Sequence, residues 1–425
     1  MRRSRRARWR TSARGAAMLA CLACACAARA QDAEPPGGVL GLSGTLRGDY
    51  FSREFDFKPA ANVASISAWI TAQPKKVWEV ASYLDARVQG QDIGRTSRAS
   101  WELREGYVER ALRGLDLKAG RQIIVWGRAD KINPTDVWSV RDLQLLTADD
   151  EDQRLGAAAV QATWPIGPVN VIGVWQPEWR APNFPVPMLP AGLQSRTIDP
   201  HGAVGQFGLK LDHSGEGADW SVSYARTIDK VPDLVIVAPG QLDFIFRPSE
   251  MFGADAAVPV GQYGLRGEIA YSRTLDRHLP DAAIKHDNLF LVAGIERTIG
   301  GELNINAQYL YRHNFGYGNP NPAADAGLQR LERQENVISN QPARNMRGVS
   351  IRIADKFFNE TLEGEVGGVV WFGQPGSTLR PKLSYAVNDH LKLIVGGQLY
   401  FGPKDGFFGQ FRDASAAFAE LRWGF

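Results

Sequence analysis

Cysteine is scarce in this chain of 425 residues, and its placement is one-sided: Cys21, Cys24 and Cys26 are the only three. They lie in a stretch, residues 1–30, that has no acidic residue at all. Residues 1–15 carry seven Arg, residues 16–28 are Ala, Met, Leu and Cys throughout, and Ala28-Arg29-Ala30 precedes Gln31. A basic region, an apolar region and a small-residue cleavage site form the pattern of a secretory signal. The apolar part is shorter than the roughly 20 residues that a membrane-spanning helix needs. No Cys has Leu, Val or Ile three places before it, so a lipoprotein is not expected. Removal of residues 1–30 takes away every thiol, which excludes disulfides and Cys-ligated metals. It also takes away eight Arg and leaves 41 basic against 46 acidic residues, a net charge of −5 where the precursor has +3. The basic balance that would suggest a nucleic-acid partner therefore belongs to the signal alone.

Other absences narrow the function. After the signal no run of 18 apolar residues occurs, so helical membrane spans are excluded. No low-complexity linker divides residues 31–425, and amphipathic helical patterns are hard to find. The six His, at 201, 213, 278, 286, 313 and 390, include no pair at metal-ligand spacing, and no Walker A sequence exists. Nothing singles out a Ser and His for nucleophilic catalysis. The chain is therefore expected to be no enzyme, without metal or cofactor. Strand-like sequence begins near Val39, so the amino-terminal plug of an energy-coupled receptor is not expected.

What is present is alternation with period two. Leu303, Ile305, Ala307, Tyr309 and Tyr311 alternate with Glu302, Asn304, Asn306, Gln308 and Arg312. Tyr263, Leu265, Ile269 and Tyr271 oppose Gln262, Arg266, Glu268 and Ser272, and Val349, Ile351 and Ile353 oppose Ser350 and Arg352. Such spacing puts the two sets on opposite faces of a strand. A one-sided soluble sheet shares this signal. Export, strand lengths near ten residues and aromatics near strand ends favour a transmembrane antiparallel β-barrel. The carboxy terminus adds a third sign. Ala417, Ala419, Leu421, Trp423 and Phe425 alternate with Glu420, Arg422 and Gly424. A last strand ending in Phe is similar to the assembly signal of bacterial outer-membrane barrels, with Trp423 and Phe425 in that role. The resemblance implies outer-membrane lipid and the barrel assembly machinery as partners.

Single-chain bacterial barrels have even strand numbers, short periplasmic turns and long outer loops. Placing every long irregular segment (128–156, 180–202 and 315–345 above all) at one end gives 18 strands. They fall at 40–51, 62–72, 77–90, 99–112, 117–127, 157–165, 168–179, 203–213, 218–229, 234–247, 260–274, 287–298, 302–314, 346–357, 361–371, 378–387, 391–401 and 413–425. Strands 62–72 and 234–247 have the weakest pattern, and dropping both gives the alternative of 16. Closure satisfies every backbone donor within lipid.

Residues 117–156 carry the densest functional signal. Gly120-Arg-Gln, then Trp126-Gly-Arg-Ala-Asp130 and Asn133-Pro-Thr-Asp136, resemble a group of proteobacterial outer-membrane barrels, similar to the porin-like and alginate-export barrels. The resemblance covers about 40 residues and implies a barrel and transport, with no substrate. The residues point the same way independently. The loop 128–156 holds Arg128, Asp130, Lys131, Asp136, Arg141, Asp142, an acidic run Asp149–Asp152, and Arg154, with Leu143, Leu145 and Leu146 to pack against a wall. Loops of this length in a compact fold are usually functional or disordered. This one is expected either to fold into the lumen and narrow it, or to be pinned outside by its own ion pairs. Inward parity adds Glu79, Asp85, Arg87, Arg266, Glu268, Arg312, Arg352, Glu363, Glu365, Glu420 and Arg422 as lumen side chains. Both signs occur among them, so no ion preference follows. The expected function is an outer-membrane channel for passive or facilitated passage of small hydrophilic or amphipathic solutes. The alternatives are an export conduit for a polymer or lipid-like product and a non-transporting structural barrel.

Overall fold

The computed structural model describes residues 40–53, 62–93, 98–183, 194–198, 205–238, 241–275, 285–318, 326–374, 376–403 and 406–425. The expected signal, residues 1–30, lies outside them.

Eighteen antiparallel strands close on themselves. They are β1 Leu42–Arg53, β2 Asn62–Ala72, β3 Ala81–Gln91, β4 Arg98–Leu112, β5 Leu115–Gln122, β6 Ala157–Ile166, β7 Val169–Gln176, β8 Gln206–His213 and β9 Asp219–Ile228. The second half is β10 Pro248–Val260, β11 Tyr263–Thr274, β12 Asn288–Ile299, β13 Leu303–Asn314, β14 Asn345–Phe357, β15 Leu362–Phe372, β16 Ser377–Ala386, β17 Leu391–Phe401 and β18 Ala416–Gly424. Each pairs with its neighbour in sequence, and β18 returns to β1 with Arg47 opposite Arg422 and Asp49 opposite Glu420. No edge is left open, which is the condition for strands to cross lipid.

The period-two pattern dictates the two faces. In β2, Ser65, Ser67 and Trp69 are buried on the inside, while Ile66 and Ile70 are exposed on the outside. In β8, Phe207, Leu209 and Leu211 are exposed and Gln206 and Lys210 buried. Outward aromatics collect at both ends. Trp175, Phe207, Phe372 and Phe401 ring one end, and Trp220, Tyr263 and Phe357 ring the other. An apolar band between two aromatic girdles around a polar interior is the outer surface of an outer-membrane barrel. Long connections gather at the end marked by Trp175. Turns such as 113–114, 167–168 and 261–262 gather at the other, which by the same rule is periplasmic.

The count of 18 is as expected, and 62–72 is a strand. One strand is displaced. The stretch 234–247 does not enter the barrel: Asp233–Ala238 and Gln241–Ile245 form a separate sheet with Gln194–Ile198, and the tenth barrel strand is Pro248–Val260. Three smaller corrections follow. β3 starts at Ala81, so Glu79 sits exposed in the turn before it and not in the lumen. β5 ends at Gln122 instead of 127, because the Glu105 carboxylate takes the Ile123 N–H at 2.9 Å and draws the chain off the wall. A helix, α1 Ala326–Ile338, occupies a connection that showed no helical pattern.

The seam is tight. Gly44 exchanges backbone hydrogen bonds with Phe425 at 3.0 and 3.1 Å. A Cβ on Gly44 would stand 2.3 Å from the Trp69 carbonyl oxygen and 2.7 Å from the Phe425 ring. Gly44→Val is therefore expected to lower the fraction of folded barrel, read as the band that resists unheated SDS on a gel. A wild-type fraction would contradict this account of the seam.

Candidate functional site

The site is built on the connection from β5 to β6, residues 123–156, which runs inside the barrel. Its base is a two-rung ladder, Val140 with Leu155 and Arg141 with Arg154. Its first part is seated by apolar side chains. Ile124, Trp126 and Trp138 pack against Ala159, Val174, Ala225, Met251 and Ala270 on the inner faces of β6, β7, β9, β10 and β11. The two indoles meet edge to face at 5.3 Å. The wall makes room for them: a Cβ on Gly208 would lie 2.6 Å from Trp138 and 2.7 Å from Trp126. Burying each indole contributes roughly 4–6 kcal/mol at the usual apolar-area coefficient.

One carboxylate then fixes the path of the chain. Glu268 of β11, 3% exposed, accepts the N–H groups of Arg128 and Ala129 at 3.1 Å each, the N–H of Thr135 at 2.7 Å and the Thr135 hydroxyl at 2.8 Å. Gly127 lies against it with φ +97°, and a Cβ there would be 2.6 Å from both carboxylate oxygens. The segment Trp126-Gly-Arg-Ala-Asp130…Asn133-Pro-Thr-Asp136 thus has a local physical basis. Gly127 supplies the left-handed turn and the close approach, and the N–H groups that follow converge on an anion.

Its charged side chains reach outward to the wall. The Arg128 guanidinium bridges Asp212 of β8 and Asp255 of β10. Burial disfavours its charge, but the two carboxylates outweigh that and raise its pKa. Asp130 accepts from Arg352 of β14 at 3.1 Å, and Arg352 also touches Glu365 at 3.6 Å. Arg266 pairs with Glu296 at 2.8 Å and reaches the Arg128 carbonyl at 3.4 Å. Asp136 pairs with Arg154 at 2.7 Å within the segment. Arg141 donates to the Asp150 carbonyl at 3.1 Å, and Asp142 accepts from Arg87 of β3 at 3.3 Å.

The acidic run faces a different arc of wall. Asp149 lies 3.0 Å from both Lys382 of β16 and Arg422 of β18, Asp150 pairs with Arg380 of β16, and Asp152 with Arg47 of β1 at 2.5 Å. Arg422 is shared with Glu420, at 2.5 Å. Leu146 and Ala148 pack beside Phe51 and Phe418 on that arc.

Thirteen of the charged residues that the sequence marks bear on a constriction: Arg128, Asp130, Lys131, Asp136, Arg141, Asp142, Arg154, Arg266, Glu268, Arg312, Arg352, Glu420 and Arg422. The structure brings eleven together. Lys131 is exposed, with no ion pair among the described residues. Arg312 stands apart at the long-loop end, where it donates to Asn288 and to the Asn340 carbonyl. Leu145 is buried as expected, while Leu143 is 39% exposed. Sequence reasoning missed Arg47, Arg104, Asp212, Asp255, Arg380 and Lys382. Strand parity was the signal that could have found them, since Arg47 alternates with Gly48 and Lys382 with Leu383. Arg104 is the extra residue at an irregular register, where Asp85 faces Glu105 and Ala86 faces Leu103, and so defeats simple parity.

Comparisons with known proteins follow this geometry. A family model described as "Protein of unknown function (DUF1302)" matches residues 79–288, which include the whole infolded segment. No curated protein matches the sequence. Among solved structures the chain is similar to OccAB2 of Acinetobacter baumannii, at 12% identity and a TM-score of 0.56, over 90% of this chain and 97% of that one. It is also similar to the outer membrane protein opdK of Pseudomonas aeruginosa, at 10% identity and 0.55, over 90% and 98%. OccK5 (OpdH) of the same organism aligns at 12% and 0.52, over 90% and 96%. At these identities the likeness is one of fold, a closed 18-strand barrel.

Two outcomes follow. Glu268→Ala leaves three buried N–H groups without an acceptor, at about 1–3 kcal/mol each. It is expected to expose residues 123–136 to limited proteolysis in detergent and to lower the thermal midpoint. Unchanged protection would remove Glu268 from its anchoring role. The second concerns Asp149. Burial would raise its carboxyl, but Lys382 and Arg422 outweigh burial and hold it at about 2. This pKa is depressed, so the contribution is complete above the ordinary carboxylate value of about 4 and is lost as pH falls through about 2. The stability difference between wild type and Asp149→Asn, from thermal unfolding, is expected to be full above about pH 4 and to vanish near about pH 2.

Proposed function

We propose that this protein is a passive outer-membrane channel for small hydrophilic or amphipathic solutes, and that residues 123–156 narrow its lumen. One observation carries the reading: the segment exchanges ion pairs with inward side chains on β1, β3, β8, β10, β14, β16 and β18, around the whole circumference. A barrel of 18 strands encloses an aqueous lumen unless something fills it. A segment tied to opposite walls stands across that lumen and leaves a smaller passage. Charged side chains of both signs then line the narrow part, which suits water and polar solutes.

The wall itself supports a pore. Ser65, Ser67, Gln89, Asn306, Gln308 and Ser350 are buried on its inner face, where a barrel filled as a solid core would place branched apolar residues. The fold shared with the Acinetobacter and Pseudomonas barrels agrees with such a channel.

Deletion of residues 137–150, which removes much of the arm and leaves the Glu268 contacts, tests the reading in planar bilayers. Single-channel conductance is expected to rise severalfold. Wild-type conductance in the deletion would remove the narrowing role, and a wild-type protein that never conducts would remove the channel.

A further inference from the structure

The acidic run meets the wall in a pattern that internal packing does not require. β16, β17, β18, β1, β2 and β3 are consecutive around the closed barrel. Their inner faces present Arg380, Lys382, Lys392, Arg422, Arg47 and Arg87 on one arc. Five of them are met by a carboxylate of the infolded segment: Asp150 on Arg380, Asp149 on Lys382 and Arg422, Asp152 on Arg47, Asp142 on Arg87. The wall's own acids on this arc are Asp49, Asp85 and Glu420, with Glu363 and Glu365 of β15 and Glu102 and Glu105 of β4 flanking it. Asp85 is engaged by Arg104 at 2.6 Å, Glu420 by Arg422, and Glu365 lies 3.7 Å from Lys382. Without the segment the cations of this arc would outnumber its three acids, and this side of the lumen would attract anions.

We propose that Asp149, Asp150 and Asp152 act as built-in counter-anions that mask a cationic wall, and that this masking sets the ion selectivity of the pore. The inference rests on the channel reading above. Two features support it. The pairs are reached by water: the side chains of Asp149 and Asp150 are 34% and 30% exposed, and those of Lys382 and Arg380 are 20% and 28% exposed. Fixed charges that border the water path govern which ions partition into it, and at about 0.1 M salt they act over about 10 Å. The segment is also held independently of these carboxylates, by Glu268 and by the buried Trp126 and Trp138. Their charge can be removed while the seat remains. The charge is fixed across ordinary pH for at least one member, since Asp149 is held at about 2 by Lys382 and Arg422.

The test is the reversal potential of the full processed chain in planar bilayers under a KCl gradient. Two triple variants are compared with wild type: D149N/D150N/D152N, which unmasks the cations, and R47Q/R380Q/K382Q, which removes three of them and keeps the acids. The first is expected to shift the chloride-to-potassium permeability ratio severalfold toward chloride, and the second toward potassium. Opposite shifts separate charge masking from simple loosening of the segment, which would move both variants the same way. Unchanged ratios, or shifts in one direction for both, overturn the proposal while leaving the channel intact. Absence of conductance in the wild type overturns the channel reading itself.

Discussion

The arrangement inside the barrel depends on a single carboxylate. Glu268 projects from the wall and gathers three backbone N–H groups and one hydroxyl from a chain that has just left the sheet. Those donors would otherwise be buried without acceptors, and a wall carboxylate would be buried without donors. Each side of the contact is costly alone, and together they are satisfied. The cost of separating them is what makes residues 126–136 part of the wall. From that fixed start the remainder of the segment can only run across the lumen, and its ion pairs follow from where it arrives.

The wall is shaped to receive this chain. Gly208 admits the two indoles, and Gly253 admits the Thr135 methyl, since a Cβ there would lie 2.5 Å from it. Ala159, Ala225 and Ala270 complete a shallow inner face from β6 to β11. The opposite arc carries long cationic side chains instead. The segment is therefore joined to one side by shape and to the other by charge, two bonds of different character. Apolar seating is not screened by salt, whereas water-reached ion pairs weaken as salt rises.

Much of the barrel was legible because β structure in a membrane leaves little freedom: the alternation in β13 and β14 follows directly from lipid on one side and water on the other. The tenth strand was not legible, for a physical reason. Leu234-Val-Ile-Val237 has a stronger strand pattern than Pro248–Val260. The true strand carries Gly253 and Asp255 because its inner face must admit Thr135 and Arg128. Tertiary demand overrode local propensity. The same holds for Ile123–Trp126, which reads as a continuing strand yet turns inward, since Ile124 and Trp126 find apolar partners inside the lumen as well as they would in lipid. Of the site, the loop and its charges were visible in the sequence. Their partners were not, because a contact such as Asp149 with Lys382 joins residues far apart in the chain and only closure brings them together.

Closure of β1 onto β18 also has a temporal side. β1 pairs with its sequence neighbour β2 along one edge, but its other edge stays unpaired until β18 is in place. The contacts of the acidic run are subject to the same delay. Asp152 looks back to an early strand, while Asp149 and Asp150 look forward to the sixteenth and eighteenth. Glu268, by contrast, lies midway and is available sooner. The topology thus permits the segment to meet Glu268 while the cylinder is still an open ribbon, whereas its full set of contacts requires the last strand.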